Sequence, residues 1–476
     1  MIDNNIRKYL DELAQRRIII LDGSLGMFIQ TYKKPNGELL SEQDYRGERF
    51  VTHPYPIKNL VDVLCLTKPE VISSVHEAYL EAGADIIETC SFNSNFIELE
   101  KYGLENLAYE LSYTSANLAR KAADKYSNNE KRCFVAGCIG PTSKSASITP
   151  DLDDLTKRAI STDELEAAYY DNARGLINGG VDVILIETMF DGLNAKAALF
   201  AVNRILTELN VDIPVMVSAT ISESGFLLTG QDLESFNVSL LPFKPWAIGV
   251  NCSFGAEKLT PYLAELSKKT PCKIIAYPNA GLPNKDGSYS DTPLLMADKI
   301  EKWFKDGIVN IVGGCCGSTP EHIMAITAKS KSYKPRITSD ACDEKIFLAG
   351  TNVLEISKDT IGSFQNITCT AMYEKFLKES DYESAVEEAT IKLNDNIEIL
   401  FINPDMAVDP LEAVKSLIFL SYSFSSLAKL PICIESNDPK IVEAALKCLQ
   451  GKGIVKCNRS DIIKQLAIQY GAEYYF

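Results

Sequence analysis

"VDVILIETMFDGLNAKAALFAVNRILTEL", Val181–Leu209, joins two kinds of apolar pattern in one short connection. Val181–Thr188 is apolar on consecutive residues and rich in β-branched side chains, as expected of a parallel strand covered on both faces. After the polar break at Asp191–Gly192 the apolar residues recur at helical spacing up to Leu209. A strand buried on both sides and followed directly by a helix is the repeating unit of α/β folds.

The same unit recurs in both directions. Upstream lie "RIIILDG" (Arg17–Gly23), "ADIIETC" (Ala84–Cys90) and "RCFVAGCIG" (Arg132–Gly140). Downstream lie "IPVMVSAT" (Ile213–Thr220), "WAIGVNC" (Trp246–Cys252), "CKIIAYP" (Cys272–Pro278) and "IVNIVGGC" (Ile308–Cys315). Helical patterns such as "KPEVISSVHEAYLEAG" and "TDELEAAYYDNARGLINGG" separate them and end in glycine, a C-cap signal. Eight strand–helix units between Arg17 and about Ser330 predict an α/β fold of the (β/α)8 TIM-barrel type with some long loops. A doubly wound open sheet fits less well, because "DGSLGMF" after the first strand lacks the G-x-G-x-x-G spacing of a phosphate-binding turn.

Around Lys331–Lys345 the pattern breaks into a polar, proline-containing stretch that reads as a linker. The expected division is a barrel over residues 1–335 and a smaller domain over 336–476. Beyond the linker, strand candidates "KIFLAG", "IEILFIN", "PICIES", "GIVKC" and "AEYYF" alternate with helices near Cys369–Leu393, Pro410–Phe424, Pro439–Leu449 and Asp461–Tyr470. So few strands cannot close an eight-stranded barrel, so an open α/β sheet is expected.

Of the 476 residues, 46% are apolar and 24% charged, the balance of an ordinary globular protein. A formal charge of −16 disfavours nucleic acid and anionic membranes as partners. The amphipathic start "MIDNNIRKYLDELAQRR" has no signal-peptide core, and no apolar run is long enough to span a bilayer, so a cytoplasmic protein is expected. There are 13 cysteines; in a reducing compartment Cys65, Cys133, Cys138, Cys369, Cys433 and Cys448 read as small buried hydrophobes.

Function in such a barrel gathers at the C-terminal ends of the strands. Those ends carry Asp22 and Gly23, Glu88 and Cys90, Glu187, Cys252, and the adjacent pair Cys315–Cys316. Glu187 is open to two readings there, a working carboxylate or the cap of a loop. The cysteine pair sits in "NIVGGCCGSTPEHI", Asn310–Ile323. A vicinal disulfide would be strained, since neighbouring Cα atoms are only about 3.8 Å apart. Two inert thiols would leave the flanking glycines unexplained. Two ligands of one metal need the backbone to turn past the end of the strand, and Gly313, Gly314 and Gly317 would allow it. With Cys252 they make three thiolates, a donor set suited to zinc. His322 reads as a first-turn residue of the next helix, so the fourth position is expected to stay open for a substrate.

"LDGSLGMFIQ", "GADIIETCSFNS", "GPTSKSASITPD", "ILIETMFDGLNAKAA", "NCSFG", "PNAGLPN" and "NIVGGCCGSTPEHI" resemble, in order, the homocysteine S-methyltransferase module of cobalamin-dependent methionine synthase. The resemblance implies zinc on Cys252, Cys315 and Cys316, with catalysis carried by the metal-activated substrate thiolate rather than by a further side chain. It also implies that Asp22 and Glu187 hold the amino group of homocysteine, and that the backbone around Gly23, Ser24 and Leu25 receives its carboxylate. Asn251 and Glu88 are expected to support the site from behind.

The tail resembles the first half of the pterin-binding barrel that follows in that family, with departures. Phe401 stands where the family has an aspartate, "IESN" (Ile434–Asn437) replaces "I-D-S-S", Lys456 replaces an asparagine, and "GTN" (Gly350–Asn352) replaces "G-E-R-T-N". Folate binding is therefore not expected. None of the three histidines sits in the D-x-H-x-x-G signature of a cobalamin module. The expected activity is zinc-dependent methylation of homocysteine to methionine, with the methyl group carried by methylcobalamin on a separate corrinoid protein. A donor such as S-methylmethionine, S-adenosylmethionine or a betaine is one alternative; a non-catalytic zinc–thiolate binding protein is another.

Overall fold

A computed structural model of the protein describes residues 5–476 except 286, 339–344, 358–363, 365, 369 and 395–396. Each expected run of the first part forms a strand: β1 (Ile19–Ile20), β2 (Ile86–Glu88), β3 (Phe134–Ile139), β4 (Val183–Met189), β5 (Val215–Ala219), β6 (Ala247–Gly255), β7 (Lys273–Asn279) and β8 (Ile311–Val312). They pair in parallel in the order β1-β8-β7-β6-β5-β4-β3-β2. A single parallel bridge, Leu21 to Ile86, joins the two ends and closes the ring as a (β/α)8 barrel. At that joint carboxylates stand in for strand pairing: Asp85 Oδ2 accepts from Ile20 N at 2.9 Å, and Asp22 Oδ2 from Glu88 N at 2.9 Å.

The unbroken apolar runs are explained by two separate cores. Ile184 and Ile186 belong to the outer core, between strands and helices. Val183 and Leu185 face the lumen with Phe134, Ala136, Met216, Ala247 and Ile275. Ile6, Leu10 and Ala14 of the helix Ile6–Arg16 join this lumen cluster, so the amphipathic start of the chain plugs the barrel.

Past the barrel, β9 (Lys345–Ala349) and β10 (Val353–Ser357) form an antiparallel hairpin. β11 (Leu400–Ile402), β12 (Ile432–Glu435), β13 (Ile454–Lys456) and β14 (Glu473–Tyr475) form an open parallel sheet in chain order. The tail thus differs from expectation in two respects. "KIFLAG" leaves the sheet to pair with the unpredicted strand "VLEIS", and "GTN" is the turn between them, with Gly350 N donating to Asn352 O. Ile346, Leu348 and Ile356 of the hairpin then cover Ile399, Phe401, Cys433 and Ile454 on one face of the sheet. The helix expected near Cys369–Leu393 is two helices, Ala371–Lys378 and Tyr382–Lys392; Cys369 lies outside the described residues.

The two parts meet along the barrel's flank. Lys196, only 2% exposed, donates to the carbonyls of Leu449 (2.9 Å) and Gly451 (2.5 Å). Ser235 Oγ donates to Gly350 O at 2.6 Å, and the Arg158 guanidinium lies 3.9 Å over the Phe419 ring. Among the described residues no helix is long and apolar enough to cross a membrane.

Candidate active site and metal centre

Side chains alternate along a strand, so the lumen parity of each apolar layer fixes what stands above it. Two residues beyond Ala136, Leu185, Met216 and Ile275 come Cys138, Glu187, Ser218 and Tyr277; Asn251 follows Ala247 at the same parity. These side chains roof the apolar lumen with a polar layer, linked by hydrogen bonds from Cys138 Sγ to Glu187 Oε1 (2.7 Å) and from Ser218 Oγ to Asn251 Oδ1 (2.6 Å).

The three predicted cysteines converge above this layer. Their sulfurs all lie within 4.8 Å of one another, and Cys252 Sγ is 3.8 Å from Cys316 Sγ. A tetrahedral zinc with Zn–S bonds of about 2.3 Å has an S–S edge of about 3.8 Å, so the spacing fits zinc. Among the described residues no other group of three or more His, Cys, Asp or Glu side chains comes together in this way.

Local backbone makes the convergence possible. Cys252 (φ 53°) and Ser253 (φ 56°) are left-handed at a β-bulge between Cys252 and Gly255, which turns the Cys252 side chain out of its regular strand direction. Of the three glycines beside the cysteine pair, only Gly317 takes a positive φ, +83°. Gly313 and Gly314 serve by their size: a Cβ on them would lie 2.7 Å from Asp22 O and 2.5 Å from Ser318 Cβ.

His322 is occupied elsewhere. Its Nδ1 accepts from Thr319 N at 3.2 Å, so Nε2 carries the proton and donates to Asp291 O at 3.0 Å. Both ring nitrogens are spent, which agrees with its reading as a first-turn residue.

Hydrogen bonds from Cys252 and Cys315, with one from Tyr289, pull the Cys316 thiol down to about 3, while contacts with Cys252 and Cys316 hold the Cys315 thiol well above its ordinary value. Asn251 Nδ2 stands 4.0 Å from Cys315 Sγ. Asn279 Oδ1, at the end of β7, is buried without a partner.

A cavity of about 290 Å³ lies beside the cysteines, at the small end for ligand sites. Gly23, Ser24, Leu25, Glu88, Glu187 and the three cysteines all line it. Burial pushes Asp22 up to about 8 and Glu187 up to about 6, and holds Glu88 well above the usual carboxylate range. Asp22 Oδ1 is buried with no partner. No lysine, arginine or histidine lines this cavity among the described residues. Carboxyls without counter-charge, next to three sulfurs, form a pocket whose chemistry could accept a cationic group beside the acids and a metal at the sulfurs.

Fewer backbone N–H groups are free around Gly23–Leu25 than the resemblance implies. Ser24 N already donates to Ser318 Oγ at 3.1 Å. Leu25 and Gly26 open the helix Leu25–Thr31, and their N–H groups have no intrahelical acceptor. Gly23 is needed for space, because a Cβ there would lie 2.8 Å from both Ser318 Oγ and Tyr79 Cε1.

Sequence reading missed Cys138, Ser218, Tyr277 and Tyr289. The first three were within reach of parity counting from the apolar lumen residues. Cys138, read as an inert hydrophobe, is buried but lies against Glu187. Tyr289 comes from the loop after β7, where no periodicity places a side chain.

The sequence model of one family, homocysteine S-methyltransferase, matches residues 19–330. Among solved structures, the homocysteine methyltransferase MmuM of Escherichia coli in its oxidized form is similar at 24% identity and a TM-score of 0.53, covering 69% of this chain and 100% of that one. Its metallated form, over the same shares and at the same 24% identity, gives a TM-score of 0.51. At that identity the likeness speaks for the barrel fold.

Proposed function

Since the chain belongs to the homocysteine S-methyltransferase family, we propose that it is a zinc-dependent enzyme forming methionine, with the methyl group delivered by a methyl-corrinoid on a separate protein. The observation that carries this reading is the meeting of three cysteine sulfurs within 4.8 Å beside an acidic cavity of amino-acid size.

Cys252, Cys315 and Cys316 hold the zinc. When bound, zinc supplies Lewis acidity that keeps a thiol of ordinary pKa about 8.5 deprotonated at neutral pH. The rest is done by the chain itself. Asp22 and Glu187, with Glu88 beside them, take the substrate's ammonium; Glu187 and Glu88 line the cavity, and Asp22, outside that lining, has a buried Oδ1 with no partner. The N–H groups of Leu25 and Gly26 receive the carboxylate at the start of the helix Leu25–Thr31. Fixing both ends of the amino acid leaves its sulfur-bearing arm toward the cysteines. Asn251 braces Cys315 from behind.

For residues 336–476 we propose a partial pterin-binding-like domain that no longer binds folate. Supporting this, Phe401 is packed under the hairpin by Ile346, Leu348 and Ile356, so an apolar lid covers that face of the sheet. The methyl donor therefore comes from elsewhere.

The test is a turnover assay with homocysteine and methylcobalamin, following cobalamin absorbance and methionine. Methionine formed only with methylcobalamin is the expected result. Turnover only with S-methylmethionine or another sulfonium or betaine would replace the corrinoid donor. Tightly bound zinc with no methylation from any donor would replace the enzyme by a thiolate-binding protein.

A further inference from the structure

Behind the cysteines, hydrogen bonds from three strands and one strand end form a chain whose direction is fixed. Thr188 N lies 3.0 Å from the Asn251 amide and can only donate, so the atom it meets is the oxygen, Oδ1. Ser218 Oγ lies 2.6 Å from that same oxygen and must give its one proton to it. Tyr277 Oη lies 2.6 Å from Ser218 Oγ; with the serine proton spent, the tyrosine is the donor. Two oxygens this close with no proton between them would repel, so no other order satisfies both contacts. Tyr277 now has no proton left, yet its oxygen is 3.1 Å from Glu187 Oε2. That contact is a hydrogen bond only if Glu187 is the donor.

We infer that Glu187 is a neutral carboxylic acid, protonated on Oε2, in the substrate-free protein, that Tyr277 and Ser218 are the positioning residues that hold it so, and that an α-ammonium entering the cavity expels this proton. The second half rests on the reading of Glu187 as the amino-group partner; the first does not. The balance is simple. One O–H bond of Glu187 breaks, its proton goes to solvent, and the carboxylate left behind pairs with the incoming –NH3+.

The surroundings agree with a stored proton. Facing Glu187 are Asp22 from the end of β1, Glu88 from β2, Cys138 from β3, Tyr277 from β7 and Cys316 from the loop after β8. All are acids or neutral donors. Glu187 is itself buried, which disfavours an ionised carboxylate. Committing the Tyr277 proton to Ser218 removes one of the two hydrogen bonds that oppose that effect, leaving only the Cys138 thiol at Oε1.

Infrared difference spectroscopy of the zinc-loaded protein reads the proton directly, as the C=O stretch of a neutral carboxyl. A pH titration of wild type is compared with Glu187→Gln, which identifies the band, and with Ser218→Ala, which frees the Tyr277 proton to turn toward Glu187. The expected result is a Glu187 band in the substrate-free protein whose midpoint falls by about one pH unit in Ser218→Ala, and whose wild-type form disappears when homocysteine is added. Absence of the band from wild type at every pH where the protein is folded overturns the inference. An unmoved midpoint in Ser218→Ala overturns the role of the Tyr277–Ser218 pair. A band that shifts in Ser218→Ala but survives homocysteine overturns the expulsion and, with it, the place of Glu187 against the amino group.

Discussion

Each cysteine of the trio occupies one corner of a donor set, and two cannot hold a metal as three do. Cys315→Ser is expected to remove zinc and turnover together, read by metal analysis and by methionine formation; full zinc occupancy in that variant would contradict the ligand assignment. The acids beside it make a separate prediction. Glu187 is raised from 4.5 to about 6 on folding, so the folded state binds its proton more tightly than the unfolded chain. The resulting stabilisation is fully present below pH about 4.5 and is lost as pH rises through about 6, about 2 kcal/mol in all. Denaturant midpoints of substrate-free protein should therefore fall more steeply across that window for wild type than for Glu187→Gln. At this scale the cysteine trio was legible because cysteines at strand ends are few. Their support was less so: Ser218 and Tyr277 are ordinary strand residues until the lumen parity is counted.

Turns and bulges decide whether the elements deliver these groups. Gly317, with φ +83°, leaves room that the Tyr289 ring fills, since a Cβ would lie 2.2 Å from Tyr289 Cγ. Gly317→Ala should cost roughly 1–3 kcal/mol in thermal or denaturant unfolding and displace Tyr289 from Cys316. The eight strands were readable from consecutive apolar runs because both faces are buried, an effect of layer architecture that sequence records directly. The bulge at Cys252 was not, because a left-handed cysteine carries no signature in residue type. Nor was β10: "VLEIS" has two half-buried residues and an exposed glutamate, and only pairing with β9 makes it a strand.

Across the whole molecule, the second sheet is tied to the barrel by polar groups placed in an apolar seam. Lys196 is buried, and burial pushes it down to about 7, but two carbonyls in the turn before β13 receive its protons. Lys196→Met should strand both carbonyls, cost about 3 kcal/mol, and split thermal unfolding into two calorimetric transitions. The single bridge between Leu21 and Ile86 has a different consequence. β1 holds β8 through Ile19, Leu21 and Gly314 backbone contacts, whereas two of the four hydrogen bonds that hold it to β2 end on the Asp85 and Asp22 carboxylates, so the barrel should breathe along the β1–β2 line first. In native-state amide exchange, Asp22 and Asp85 should then lose protection earlier than Ile248. Such breathing carries Asp22 away with β8 and the cysteine pair that follows it, and parts it from Glu88. Mild denaturant should accordingly release the bound amino acid while the metal stays seated.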